Sequence, residues 1–324
     1  MTTEVNPDET NVVAPHEAFD VVGDETRLGI LRTLGEADGP LAFSDLFDRI
    51  EYEDSGNFSY HLDRLDGHFV RETDDGYVLQ RAGARIVEAI LSGAVTDSPV
   101  VERTPVDTPC FICSGQMEIS YRQESVRVFC LDCGGTRGRS SDTQEPATES
   151  AEDVVGGVGL PPAGLRNREP SELLRAGEIW SVAHGQASAR GVCPRCSAPI
   201  DRSVNVCENH DPTGGRCGAC DQRFGVTTTT SCTNCLFGRE SVFTAYLLGN
   251  TALMRFLVDH GIDPIQPNAF HLTEFEEEIV SVEPFEARFT FTADDEAITL
   301  SVADDLSVDV TRVRGSGTPR ESGV

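Results

Sequence analysis

Ten of the 11 cysteines of the 324-residue chain fall into five Cys-x2-Cys pairs and the eleventh stands in the same spacing to a histidine, and this spacing constrains the possible folds more than any other feature. Cys110-x2-Cys113, 16 intervening residues and Cys130-x2-Cys133 predict one four-thiolate site of the zinc-ribbon type. Two turn-forming knuckles joined by a hairpin bring four sulfurs within reach of one ion at ~2.3 Å. The hairpin is read in MEISYRQESVRVF, with apolar residues alternating through Tyr121, Val126 and Val128. Zinc is the expected ion, ahead of a rubredoxin-type iron. Disulfides are disfavoured in a reducing cytoplasm, and redox CxxC pairs seldom occur as matched doubles.

The second cysteine stretch holds four pairs: Cys193/Cys196, Cys207/His210, Cys217/Cys220 and Cys232/Cys235, separated by 10, six and 11 residues. Eight ligands imply two ions, hence three zinc ions per chain. Sequential pairing is favoured, giving a site of Cys193, Cys196, Cys207 and His210 and an all-thiolate site of Cys217, Cys220, Cys232 and Cys235. The ligand order also permits an interleaved, cross-braced arrangement, but the six-residue spacing after His210 is long for it. His210 is read as a ligand because Cys207 otherwise has no partner. Complete four-ligand sets rich in thiolate point to structural metal, since a catalytic zinc keeps one position open. No HExxH, GxSxG, Walker or GxGxxG motif is present, and the zinc-deaminase signature fails around Cys193-Pro194-Arg195-Cys196. The expectation is a protein that is not an enzyme.

Charge divides the chain. Acids number 54 against 26 basic residues, all of them arginine, for a net −28. Residues 1–93 hold 20 acids and 7 arginines (net −13), and residues 240–324 hold 16 and 5 (net −11). The cysteine stretches are near neutral, with four acids and four arginines in 105–139 and four and five in 193–239. No run approaches the ~18 apolar residues of a membrane span, and the N-terminus lacks signal-peptide blocks. A soluble, cytoplasmic chain without membrane contact is expected.

Punctuation and periodicity give an α+β multidomain reading. Residues 1–14 form a disordered tail, 15–93 a winged helix-turn-helix domain, 105–139 a zinc ribbon, 140–153 an acidic linker, 154–192 a helical connector with a helix near Pro170–Ser188, and 193–236 a double zinc-ribbon module. Residues 237–314 form a C-terminal domain of two short helices and an antiparallel meander of about four strands, read from the period-two alternation of EARFTFTADD and AITLSVADD. Within 15–93, Asp24 is the expected N-cap of a helix carrying Leu28, Leu31 and Leu34. Ser44 is expected to cap a second helix with Leu46 and Ile50 inward, and a third starts near Ser55 with Phe58, Leu62 and Leu65 on one face. FVRE, TDDG and YVLQ read as a hairpin turning at Asp75-Gly76, followed by an amphipathic helix with Ile86, Val87, Ile90 and Leu91.

The run AFDVVGDETRLGILRTL, followed by SDLFDRI, NFSYHLDRLDGHFVRE and DDGYVLQRAG, resembles ArsR-type winged-helix regulators, particularly haloarchaeal ones. The lysine-free, acidic composition is also similar to that of salt-in halophilic archaea. The family resemblance covers about 80 residues and implies a homodimeric, sequence-specific regulator of double-stranded DNA. The third helix would enter the major groove, placing Asn57, Ser59, Tyr60 and Arg64 at DNA, with Arg71 in the wing. Asn and Arg suit purine edges, whereas Ser and Tyr hydroxyls suit phosphates. His61 borders the buried stripe and reads as a packed or backbone-bonded histidine. Asp63 and Asp66 are unfavourable near phosphate. The stretch SDLFDRIEYE contains no cysteine, so a thiolate-based sensor is not expected on this domain. Two other functions fit the pattern. A winged helix followed by a zinc ribbon is similar to the archaeal transcription factor E alpha subunit, a basal factor in contact with the transcription machinery. A zinc-stabilised interaction scaffold is the other.

Overall fold

The computed structural model describes residues 13–133, 135, 154–213, 215–265 and 274–314 and has an α+β fold with two compact units, residues 1–97 and 98–324. The expected tail (residues 1–12 of it) and the expected acidic linker (140–153) lie outside the described residues.

The N-terminal unit comprises α1 (Pro15–Val22), α2 (Glu25–Gly35), α3 (Phe43–Ile50), α4 (Ser55–Leu65), a β1 (Val70–Thr73)–β2 (Gly76–Leu79) hairpin and α5 (Arg81–Leu91). Asp24 caps α2 by accepting the Arg27 backbone N–H at 3.0 Å. The Arg27 guanidinium donates to the carbonyls of Val21 and Asp20, two groups that the end of α1 leaves without helical partners. Ile30, Leu31, Leu34, Leu46, Phe58, Leu62 and Leu65 form the buried core.

Two local expectations change. Ser44 lies inside α3, whose N-cap is Ala42 with no side-chain cap, because Leu41 is already held to Tyr77 by two backbone hydrogen bonds and the helix starts directly afterwards. The hairpin turns at Asp74-Asp75, with Gly76 opposite Thr73 as the first residue of β2. Gly76 is required there for another reason. Its φ is +126°, and a Cβ would lie 2.4 Å from the Leu41 carbonyl oxygen. Gly76→Ala is therefore expected to cost the unit about 2–4 kcal/mol from backbone strain plus overpacking. Gly39→Ala, which meets nothing within 4 Å, should be near neutral. Denaturant unfolding of the two variants checks this, and equal midpoints would contradict it.

In the C-terminal unit, β3 (Val101–Val106), β4 (Met117–Arg122), β5 (Ser125–Cys130) and β6 (Val154–Gly159) form an antiparallel sheet in that order. The β4–β5 hairpin matches the reading of MEISYRQESVRVF, with Met117 opposite Cys130. Its flanking strands correct the sequence reading, because β3 begins in the stretch between the expected winged-helix and ribbon domains and β6 occupies the start of the expected connector. Pro105 and the glycines of β6 obscured them, and both strands sit at sheet edges, where such residues are tolerated.

A 3₁₀ turn (Pro162–Leu165) leads into α6 (Pro170–Ala189), whose Leu173 and Leu174 pack into the core of this sheet. Then come β7 (Ile200–Val206), β8 (Val226–Cys232) and β9 (Gly238–Val242), an antiparallel sheet in chain order. α7 (Phe243–Leu247), α8 (Thr251–Asp259) and the meander of β10 (Glu274–Ser281), β11 (Glu286–Ala293), β12 (Glu296–Val302) and β13 (Val308–Arg314) follow. The division expected at residue 236 does not hold. β9 pairs with β8, and Val226 is buried in one cluster with Phe243, Phe256, Phe289 and Phe291, against which Val204 and Val206 also pack. The second cysteine module and the C-terminal elements thus share a core.

No helix among the described residues is long and apolar enough to cross a membrane.

Candidate functional site

Three clusters bring together all 11 cysteines and His210, the ligand atoms of each lying within 4.8 Å of one another: Cys110/Cys113/Cys130/Cys133, Cys193/Cys196/Cys232/Cys235 and Cys207/His210/Cys217/Cys220. A tetrahedral ion with arms of ~2.3 Å needs ligand separations near 3.8 Å. The Sγ–Sγ distances of 3.7 Å for Cys110–Cys133, 3.5 Å for Cys113–Cys130, 3.6 Å for Cys193–Cys235 and 3.4 Å for Cys196–Cys232 fit that geometry.

The grouping in the second module is nested, neither sequential nor cross-braced. β7 and β8 pair antiparallel from Ile200↔Cys232 to Val206↔Val226. Cys193 and Cys196 precede β7 and meet Cys232 and Cys235 at the end of β8. Cys207 and His210 follow β7 and meet Cys217 and Cys220 just before β8. Six residue steps of strand, about 20 Å, separate the two ends. A site built from Cys193, Cys196, Cys207 and His210 would have to span that length, so the expected sequential pairing is corrected.

Three knuckles repeat one backbone geometry. Each first cysteine sulfur accepts a backbone N–H two residues on, at 3.4 Å, from Ile112, Arg195 and Ala219. Each knuckle then closes on a left-handed residue: Ser114 (φ 61°), Ser197 (φ 63°) and Asp221 (φ 53°). The sequence carries this as a Cys-x2-Cys-(Ser/Asp) repeat, a signal beyond the cysteine spacing itself. Backbone N–H groups of Asp211, Ala219 and Cys220 pull the Cys217 thiol down to about 6, which favours the thiolate a metal needs. Burial pushes the Cys110 thiol well up, so ionising it depends on a cation arriving.

His210 has the geometry of a ligand. Its Nε2 lies 3.0 Å from the Arg223 carbonyl oxygen, which can only accept, so Nε2 carries the proton. Nδ1 is left with a lone pair, 3.5 Å from the Cys220 sulfur. A backbone carbonyl that fixes the tautomer in this way is the usual outer partner of a metal-bound imidazole.

In the N-terminal unit, Asp54 caps α4 by accepting from Gly56 N and Asn57 N. The helix buries Phe58, His61, Leu62 and Leu65 and leaves Asn57, Tyr60, Asp63 and Arg64 exposed, with Ser59 half-buried. Arg71 is exposed on β1. Of the five residues singled out in the sequence, Asn57, Tyr60, Arg64 and Arg71 thus lie on the outer surface of α4 and the adjoining hairpin, and Ser59 lies at its edge. Asn57 is already engaged, donating through Nδ2 to the Tyr52 hydroxyl at 2.7 Å. His61 is packed edge-on to Tyr52 and Tyr60, with Nδ1 3.4 Å from an Asp24 carboxylate oxygen. Burial, together with the carboxylates of Glu72, Asp63 and Asp66, pushes the Tyr77 hydroxyl up, which marks a negative field over the hairpin.

Family models match the chain twice. A domain of unknown function, DUF7347, matches residues 15–90, and a second, DUF7351, matches residues 107–308, more than half of the chain. No curated protein and no solved structure matches it.

Proposed function

Since the chain belongs to the DUF7351 family and carries a helix–hairpin unit ahead of that region, we propose that it is a sequence-specific regulator that binds double-stranded DNA, similar to the ArsR type and held together by three structural zinc ions. The observation that carries the reading is the two-sidedness of α4. Phe58, Leu62 and Leu65 are buried on one side, while Asn57, Tyr60 and Arg64 face outward directly ahead of a hairpin bearing Arg71. Such a face suits base edges in the major groove, with the hairpin over the neighbouring backbone. Zinc suits the thiolate-rich four-ligand sets, which leave no open position for chemistry. Phe19 on α1 and Leu91 on α5 are 70% and 42% exposed, apolar surface that supports pairing of two chains.

The test is operator binding by full-length variants. Alanine at Asn57, Tyr60 or Arg64 should each cost about 1–3 kcal/mol on the cognate site and leave nonspecific binding little changed. Arg71→Ala should weaken all sequences alike. A triple alanine variant that footprints like the wild type would sink the groove assignment.

A further inference from the structure

Between α6, the β7–β8–β9 sheet and β10 runs a cavity of about 1110 Å3. That is room for a molecule of drug size. Phe111, Val158, Phe224, Tyr246 and Phe275 give it aromatic and aliphatic walls. On the α6 side, Ser181, Gly185 and Ser188 keep it open, and a Cβ added at Gly185 meets nothing within 4 Å.

Several polar groups of the lining are engaged. The hydroxyls of Thr228 and Ser241 bond each other at 3.2 Å, Thr230 donates to the Arg239 carbonyl, Arg239 donates to the Ser181 carbonyl, and Glu277 accepts the Gly225 N–H. Glu178 differs. Its Oε2 is buried with no hydrogen-bond partner among the described residues, and burial alone pushes the carboxyl up to about 8. Burying such a group without a partner is costly and is tolerated where something else is to pair with it. Arg223 Nε, in the wall beside His210, is likewise buried without a partner and offers a donor to any oxygen a ligand carries.

We infer that this cavity is a binding site for a mainly apolar small molecule carrying one basic nitrogen, held by Glu178. The aromatic walls take the apolar body and also favour a cation over their faces. The ammonium group supplies the missing partner through a charge-assisted hydrogen bond to the carboxylate, and a carboxyl that was protonated releases its proton to solvent on binding. A divalent metal ion would find too few ligands there. The inference does not depend on the DNA-binding reading.

The experiment is calorimetric titration of the metal-loaded full chain with 1-naphthylmethylamine and with 1-naphthylmethanol, which share a ring body and differ in charge. The amine is expected to bind one to one and at least tenfold tighter than the alcohol. Glu178→Gln, a near-isosteric neutral replacement, should remove that advantage while leaving the alcohol unchanged. Gly185→Leu, which fills open space and suits a helix, should abolish binding of both. Equal affinity for the two probes, no binding of the amine, or a Glu178→Gln variant that titrates like the wild type would each overturn the assignment. The comparison of probes on the wild type stands even if a variant fails to fold.

Discussion

Alanine at both Cys193 and Cys232 is expected to lower bound metal from three equivalents to two, whereas alanine at both Cys193 and Cys207 is expected to lower it to one. The first pair lies in one cluster and the second pair in two. Sequential sites would give the reverse, and cross-braced sites would leave one equivalent in both variants. Elemental analysis of protein purified without added metal therefore separates the three topologies. The structural consequence should be large, because an apparent binding energy of about 10–16 kcal/mol for a structural zinc site rivals the ~5–15 kcal/mol stability of a whole domain. Chelation of all three sites should unfold the regions around β4–β5 and β7–β8. The N-terminal unit, which contains no cysteine, should keep its helical signal. A C-terminal unit that stays folded after complete metal removal would contradict a structural role.

DNA affinity is expected to rise with salt, opposite to the ordinary trend. A phosphate-binding protein normally loses affinity with a log-log slope near −0.9 per contacted phosphate. Here residues 1–93 carry net −13, and Asp63 and Asp66 already press on the Tyr77 hydroxyl beside the proposed contact surface. Binding then requires cations to gather between carboxylates and phosphates, and apolar contacts between chains strengthen with salting-out ions. Affinity should be weak near ~0.1 M KCl, where the Debye length is ~10 Å, and should improve by at least about tenfold, or 1.4 kcal/mol, toward molar KCl. Asp63→Asn with Asp66→Asn should flatten or reverse the slope by removing the cation sites. Monotonic loss of affinity with salt in the wild type would refute the cation bridge.

Local signals carried the sequence reading furthest. The Asp24 cap, the apolar stripe of α4, the 117–129 hairpin and the C-terminal alternation each depend on neighbours within a few turns of chain, and each recurs in the structure. The metal ligands were legible as pairs for the same reason. Their grouping was not, because it is decided by which strand ends meet. β7 did offer Ile200, Val204 and Val206 in alternation, but its partner β8 is a run of threonines with little apolar contrast to mark it as a strand. Gly76 reads as turn punctuation in the sequence, yet the constraint on it comes from Leu41, 35 residues earlier in the chain. Glu178 gave no signal at all, since a glutamate in a 20-residue helix reads as solvated until the opposite walls are in place.

The DNA-binding proposal is tested most directly by selecting bound sequences from a random double-stranded DNA library with the metal-loaded full chain in about 1 M KCl, in parallel with its Asn57→Ala/Tyr60→Ala/Arg64→Ala variant. The expected result is one short palindromic motif enriched by the wild type and lost by the variant. No enriched motif, or the same motif recovered by the variant, would contradict the assignment of α4 to the major groove.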